Sequence, residues 1–435
     1  MIISIISFIG LFYLSYKFKI RPFLTLLLAS FLSGILLKIG ITETLYLIFK
    51  GFFNIVILIG PIIITGTLLG RFLNETGTSR KMVNTFISSL GIKNIPISFN
   101  IIGFIISIPV FCDAAFILMS SIVKDLSKIT KKNIIFLSIC LATGLYSAHV
   151  FVPPTPGPIA ASAIIGADIG LLFIIGIIVG LIVSLSGYFW LRFLFKKEFK
   201  LNLKQINSNE VVSNKNIISF LPVFFPILLI SASTIIKYPE LNINQSQFIR
   251  IIEVIGNPEI ALFIGFVMTL IFVKRDNVKD TPQWLIKSLT NSFEILLITG
   301  AGGAIGYIIR ESGVINDLSL SDVSGLVSIL SIFFITALVK TIQGSSTVAI
   351  VTTCAITAPL IQSIGMTSEL EKVILIISIG SGAMTISHIN DSYFWVVSKY
   401  SNIEMNDVLK FFSTATLIQG LTGLLLSMII FIFIN

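Results

Sequence analysis

Apolar runs, most of them about as long as a bilayer is thick, repeat along this chain between short polar stretches. They fall roughly at 2–16, 22–40, 51–70, 95–123, 133–170, 171–191, 217–236, 255–273, 291–309, 323–362, 373–397 and 408–433. About 20 apolar residues cross a bilayer as a helix, so the pattern predicts an all-α polytopic membrane protein. One run is interrupted from within. No Asp, Glu, Lys or Arg occurs from Asn133 to Ala167, yet Pro153, Pro154, Pro156 and Pro158 sit in its middle. Proline lacks the backbone donor and restricts the residue before it, so a helix cannot run through them. Irregular backbone at membrane depth is tolerated only where it is buried in protein or lines a wet cavity. The spacing therefore predicts a broken membrane helix with His149 at the break. The other of the chain's two histidines, His388, lies in a second apolar run, IGSGAMTISHINDSYFW, again beside polar groups.

Basic residues orient the runs. Lys17, Lys19 and Arg21 follow the first; Arg71, Arg80, Lys81 and Lys93 the third; Lys124, Lys128, Lys131 and Lys132 the fourth; Arg192 to Lys204 and Lys274 to Lys287 mark two more faces. Lys and Arg collect in cytoplasmic loops. If all these faces are cytoplasmic, 95–123 enters and leaves on one side, a re-entrant hairpin turning near Ile108–Asp113. The run 323–362 is too long for one crossing and is flanked by Asp322 and Glu369. It reads as a second hairpin, entering from outside and turning at Lys340–Ser346. Both termini then lie outside. Gly66–Gly77 (GTLLGRFLNETG) matches Gly302–Gly313 (GGAIGYIIRESG), and a short amphipathic piece (42–50, 278–289) precedes the third span of each half. The expected organisation is two inverted repeats, 1–194 and 217–435, joined by a cytoplasmic linker at 195–216. It has about 10 spanning helices plus two hairpins, with the breaks near the midplane, as secondary transporters are built.

Composition sharpens this reading. With 55% hydrophobic and 12% charged residues among 435 and a mean hydropathy of +0.99, no stretch is left for a separate soluble domain, where about 25% of residues are charged. The net charge of +9 belongs to cytoplasmic loops, and no nucleic acid is expected as a partner. Cys112, Cys140 and Cys354 sit in apolar runs at no metal spacing and are expected to pack. Residues 1–16 lack a basic leader and a cleavage site and read as a retained span. Glycines 300, 302, 303 and 306 are expected to allow close helix packing.

Three ionisable groups stand alone in the apolar runs. Asp113 is alone between Lys93 and Lys124, Lys340 between Asp322 and Glu369, and Asp391 between Lys372 and Lys399. A charge at the centre of a membrane helix costs about 2.5–3.5 kcal/mol on insertion scales, so each is a candidate functional residue. The plain alternative is a buried structural ion pair between Asp113 and Lys340. Histidine titrates near physiological pH. His149 and His388 are therefore proton-relay candidates, or else neutral rings satisfying a loose carbonyl. Gln343, Gly344, Ser345, Ser346 and Thr347 open the second helix of the outer hairpin, where unpaired N–H groups and the helix dipole favour an anion. Asp113 holds the equivalent place in the inner hairpin, where it can cap the helix, take a proton or hold a cation. No Walker motif, dinucleotide fingerprint, GxSxG elbow or HExxH spacing occurs, and no cofactor is expected. An ion gradient or the substrate's own gradient would drive transport. A zinc enzyme built on His149, His388 and Asp391, or a channel, are the rival readings.

Four stretches in order along nearly the whole chain resemble the gluconate permease family, the gluconate:proton symporters of the ion-transporter superfamily. They are Asp113-Ala114-Ala115-Phe116; His149 with Pro153–Pro158 and Gly166-Ala167-Asp168; Gln343–Ala349; and Ser387-His388-Ile389-Asn390-Asp391-Ser392 with Phe394-Trp395. The resemblance implies uptake of a sugar acid such as gluconate, or a related small carboxylate, by proton symport. It also implies two scaffold regions around a moving transport core. The substrate is then expected to meet Asp113, Thr155, Pro156, Gly157, Lys340, Gln343, Gly344, Ser345, Ser346, Thr347 and Asn390. His149, His388 and Asp391 are expected to couple protons. A sodium-coupled carboxylate or amino-acid carrier is the alternative. The expected location is the cytoplasmic membrane, multi-pass, as a homodimer or higher homo-oligomer. Two residues depart from the gluconate pattern, Thr155 where such members often have His and Tyr393 where they usually have Gly. Both lie in the site motifs and bear on which substrate is carried.

Overall fold

Local signals begin and end the helices much as the chemistry of helix ends demands. Asn133, Asp168, Asn257 and Ser368 cap the helices that follow them, each side chain accepting from a backbone N–H of the first turn. Ser368 forms a full capping box with Glu371. The structure, a computed structural model, describes residues 22–79, 81, 82, 85, 94–130, 133–196, 217–236, 247–312, 325–389 and 391–434. The expected first span at 2–16, nearly all of the linker, several of the orienting basic residues and Asn390 lie outside the described residues. Among those described, no strand occurs. In chain order the main helices are α1 (Pro22–Leu36), α2 (Ile41–Glu75), α3 (Ile95–Ser107), α4 (Cys112–Thr130), α5 (Ile134–Phe151), α6 (Pro156–Ile165), α7 (Ile169–Leu194) and α8 (Leu221–Ile236). They continue with α9 (Gln247–Ile255), α10 (Pro258–Leu270), α11 (Thr281–Glu311), α12 (Leu326–Gln343), α13 (Ser346–Thr357), α14 (Glu369–Met384), α15 (Ser392–Ser401) and α16 (Thr414–Ile434).

The packing is the same in the two halves. The first helix of each expected hairpin lies on the first part of a broken span, α3 on α5 and α12 on α14. Each of those lies on the last span of its half, α5 on α7 and α14 on α16. The close approach falls at matching glycines. A Cβ on Gly144 of α5 would collide with the Asn100 carbonyl of α3, and one on Gly382 of α14 would fall 2.5 Å from the Phe333 carbonyl of α12. Between halves the partners are exchanged: α6 packs on α13 and α15 on α4. Outside this core, α2 runs along α11, with α1 against α11 and α10 against α2. Gly300 and Gly303 admit Phe52 and Ile55 there, as expected for close packing, while Gly302 and Gly306 face Val351 and Ala355 of the core.

Three expectations are refined. The amphipathic pieces before the third spans run on into them, 42–50 inside α2 and 281–289 inside α11 after a 3-10 turn at Arg275–Asp280, because nothing from 41 to 58 or 281 to 300 stops a helix. Pro61 sits within α2. The run 255–273 is not straight: Ile249–Ile255 meets Pro258–Leu270 at 73°, where Gly256-Asn257-Pro258 supplies both a stop and a cap. Five of the described helices, or six with this bent pair, are long and apolar enough to span a membrane by themselves. The ten or so expected also take in the run 2–16, outside the described residues, and shorter apolar helices at 23–36 and 217–233, while those at 95–107 and 346–360 belong to the expected hairpins. Cys112, Cys140 and Cys354 are buried and form no disulfide with one another.

The inner hairpin carries the topology and can be tested directly. Asn94 and Lys128, both exposed, stand at the outer ends of α3 and α4. With the three native cysteines replaced, single cysteines at 94 and 128 are expected to react with an impermeant maleimide from the same, cytoplasmic face. Reaction from opposite faces would overturn the hairpin and the inverted repeat.

Candidate functional site

Four breaks converge on one buried region: the turn between α3 and α4, the proline loop between α5 and α6, the turn between α12 and α13, and the loop between α14 and α15. Lys340 lies in the last turn of α12 and Asp391 is the N-cap of α15. Their side chains meet, Lys340 Nζ to Asp391 Oδ2 at 2.7 Å, with exposures of only 1% and 4%. Lys340 also donates to the Gly344 carbonyl at 2.6 Å. Gly344 adopts φ +83 and ends α12 in the left-handed conformation, which an L side chain rarely takes. Asp391 accepts from Ser387 Oγ at 2.5 Å and from the Tyr393 N–H at 3.0 Å. The lysine thus sits at a helix C-terminus and the aspartate at a helix N-terminus, each where the helix dipole favours its sign.

The partner of Lys340 is therefore Asp391 rather than Asp113, the partner considered from the sequence. The reason is tertiary: the loop before α15 reaches the outer hairpin, whereas Asp113 in the first turn of α4 lies beside that pair, within electrostatic range of both groups. Asp113 Oδ1 is buried with no hydrogen-bond partner among the described residues.

The loop that presents Asp391 is held from behind by α16. Ser387 N–H donates to Thr416 Oγ1 at 3.0 Å, and Ser413 Oγ to the Ser387 carbonyl at 2.5 Å. Ser413 closes a π-helical turn, Val408–Ser413, just before α16, and such turns often mark functional places. Ile386, in the same loop, has φ 53, a strained backbone for a β-branched residue.

The remaining expected residues are placed as follows. Ser345 caps α13, accepting from the Val348 N–H at 3.4 Å, so Ser346 and Thr347 occupy its first turn, where backbone donors lack intrahelical partners. Gln343 Oε1 is buried without a partner among the described residues. Gly157, in the first turn of α6, meets that same first turn: a Cβ there would stand 2.8 Å from Ile350 Cδ1 and 3.9 Å from Thr347 Cα. Thr155 is buried and donates to the Val152 carbonyl at 2.5 Å. With Pro154 and Pro156 it lines a cavity of about 10 Å³, closed on its other sides by Gly66 and Thr67 of α2 and by Ile108–Phe111. That is room for about one water. The His149 ring stands edge-on to Phe111 at 6.4 Å, and its Nδ1 is buried without a partner among the described residues. His388 is half-buried beside the backbone of Thr341.

Sequence reasoning missed Tyr146. Its hydroxyl lies against Ser346 and donates to the Ala383 carbonyl at 3.3 Å, linking the two halves at the site. Tyr393 answers it, donating to the Ala142 carbonyl at 3.2 Å and packing among Phe116, Tyr146 and Phe412. Ser387 was seen only as part of a motif, and Gly66 and Thr67 only as part of a repeat. Nothing local marks a tyrosine in an apolar run as polar in its role.

A family model described as GntP family permease matches residues 1–434. The inner membrane permease YgbN of Escherichia coli is 29% identical over 98% of this chain and 97% of its own length. The D-serine transporter DsdX of Escherichia coli is 31% identical, with 94% and 93% covered. A gluconate permease of Pseudomonas aeruginosa is 28% identical, with 97% and 95% covered. The crystal structure of the YdaH transporter of Alcanivorax borkumensis superposes with a TM-score of 0.60 at 12% identity, over 94% of this chain and 98% of that one.

The ion pair makes a quantitative prediction. Removing one partner of a buried pair costs about 3–5 kcal/mol, because the other charge is left uncompensated. Lys340→Met and Asp391→Asn should each lower unfolding stability in detergent by that order. The double variant should recover most of the loss, since Asn still caps α15. Additive losses would show that the two charges act independently.

Proposed function

This chain belongs to the GntP permease family, a multi-pass membrane transporter rather than an enzyme, and we propose that it carries a small organic carboxylate across the cytoplasmic membrane with a proton. The observation that supports this reading is the meeting of four helix breaks around Lys340, Asp391 and Asp113, with the first turn of α13 turned to the same place. A carboxylate suits that turn: Ser346 and Thr347 offer backbone donors, the dipole points its positive end there, and Lys340 stands one turn away across Gly344. Gln343, Thr155 and Tyr146 supply side-chain hydrogen-bonding groups of the kind a hydroxylated acid needs. Two of the named relatives are described as carriers of gluconate and of D-serine. Both compounds are small hydroxylated carboxylates, and the proposed site reads that shared part.

The distribution of the polar ties supports a reading of alternating access by a moving core. Bonds from Tyr146, Tyr393 and Gln419 join the two halves of the core, and Thr67 with Ser292 joins α2 to α11 in the scaffold. Glycines 66 and 302 face the core where α2 and α11 meet it. We read the core as the moving body and α1, α2, α8, α10 and α11 as the fixed one.

Substrate class is tested by thermal shift on the purified protein, since a ligand that binds only the folded state raises its stability. Gluconate, other sugar acids and hydroxy or amino acids are expected to stabilise it, and the matching neutral polyols are not. A neutral sugar as the strongest stabiliser would overturn the carboxylate reading. Stabilisation that needs sodium at constant pH would replace the proton with Na⁺.

A further inference from the structure

We propose that Asp113, rather than Asp391 or either histidine, is the carboxylate whose protonation is linked to substrate binding. This inference rests on the carboxylate-transport reading above. Among the described residues Lys340 is the one cation in the buried cluster, and Asp391 already neutralises it at 2.7 Å. Asp391 is further fixed by Ser387 and by the Tyr393 N–H, so both of its oxygens are engaged and ionised aspartate is the form these donors hold. Asp113 has no such set. Its Oδ1 is buried and unpartnered among the described residues, in the first turn of a 19-residue helix.

Among the described residues, the groups around it supply no second cation. α4 packs on α5, α15 and α3. From α5 come Tyr146 and His149, the latter touching Phe111 beside the α4 start. From α15 come Tyr393, against Phe116 of α4, and the Asp391 cap. α3 carries no titratable residue, Cys112 is the neighbour in sequence, and Lys340 and His388 approach from α12 and the loop after α14. A buried carboxylate without a counter-charge is costly, and the usual escape is to bind a proton.

The consequence is coupling. With the Lys340–Asp391 pair neutral overall, a substrate carboxylate arriving at the first turn of α13 adds a negative charge to a site that already holds Asp113. Two uncompensated negative charges in one buried region repel each other. The substrate therefore binds to the protein whose Asp113 carries a proton, and substrate and proton bind with positive linkage, each raising the affinity for the other by the same factor. The proton goes onto a carboxylate oxygen and leaves from it; no other bond changes. A proton suits a single free oxygen, whereas a sodium ion needs several oxygen ligands around one point.

Binding and labelling test this together. Gluconate affinity of the wild-type protein, measured by titration calorimetry, should weaken about tenfold or more between pH 6 and pH 9. Asp113→Asn, fixed in the neutral form, should lose that dependence and stop gluconate-driven proton entry into proteoliposomes. Asp113→Glu should keep both. A hydrophobic carbodiimide, which modifies protonated buried carboxyls, should label Asp113 and leave Asp391 unlabelled. An Asp113→Asn protein with the wild-type pH dependence, labelling of Asp391 instead, or wild-type affinity that follows sodium and not pH would overturn the assignment. If no carboxylate binds the wild-type protein at any pH, the transport reading fails. The labelling still decides whether Asp113 holds a proton, and it also decides where Asp113→Asn does not fold.

Discussion

A buried salt bridge between the end of one helix and the start of another organises this protein's centre. Lys340 and Asp391 are 51 residues apart and belong to two different breaks. Neither charge could stay in an apolar interior alone, and the attraction between them is strong only because the surroundings exclude water. The pair also sits in the field of two helices, with the lysine at a C-terminus and the aspartate at an N-terminus. Position, pairing and dipole therefore act in the same sense. Ser387 Oγ and the Tyr393 N–H hold the aspartate in that place.

Around that pair the backbone itself becomes a functional surface. A continuous helix satisfies its own N–H and C=O groups and offers a ligand only side chains. A broken one exposes the ends, which is tolerable within a membrane only when protein covers them. Here α6 covers the start of α13 and α15 covers α4, so each half shields the open ends of the other. This explains why polar bonds such as those of Tyr146, Tyr393 and Gln419 cross between the halves.

Much of this was legible in the sequence, and the division has a physical cause. Prolines 153, 154, 156 and 158, the lone charges at 113, 340 and 391, and the Gly344-Ser345-Ser346 turn are violations of a membrane helix's rules. A violation shows without knowledge of its neighbours. The helical class, the breaks and the participants could be read from them. What could not be read was who meets whom. Whether Lys340 takes Asp113 or Asp391 depends on which tip packs on which broken span, and that is decided by shape across the whole core. The same holds for Tyr146, an ordinary aromatic residue in an apolar run until Ser346 and Ala383 are brought to its hydroxyl. The bend at Gly256–Pro258 was written locally, but its size was not.

The π-helical turn at Val408–Ser413 has a consequence for how this chain can vary. A π turn holds one residue more than an α turn, and one residue is about 100° of rotation in a helix of 3.6 residues per turn. Everything after it on α16 is therefore out of phase with everything before. Thr416 and Gln419 point into the core, where they meet Ser387, Thr143 and Val183, only because that extra residue is present. Substitution along this helix changes one contact at a time. Deletion of a single residue in the turn would rotate the whole face of α16 away from the loop that carries Asp391, so length here is constrained more tightly than identity.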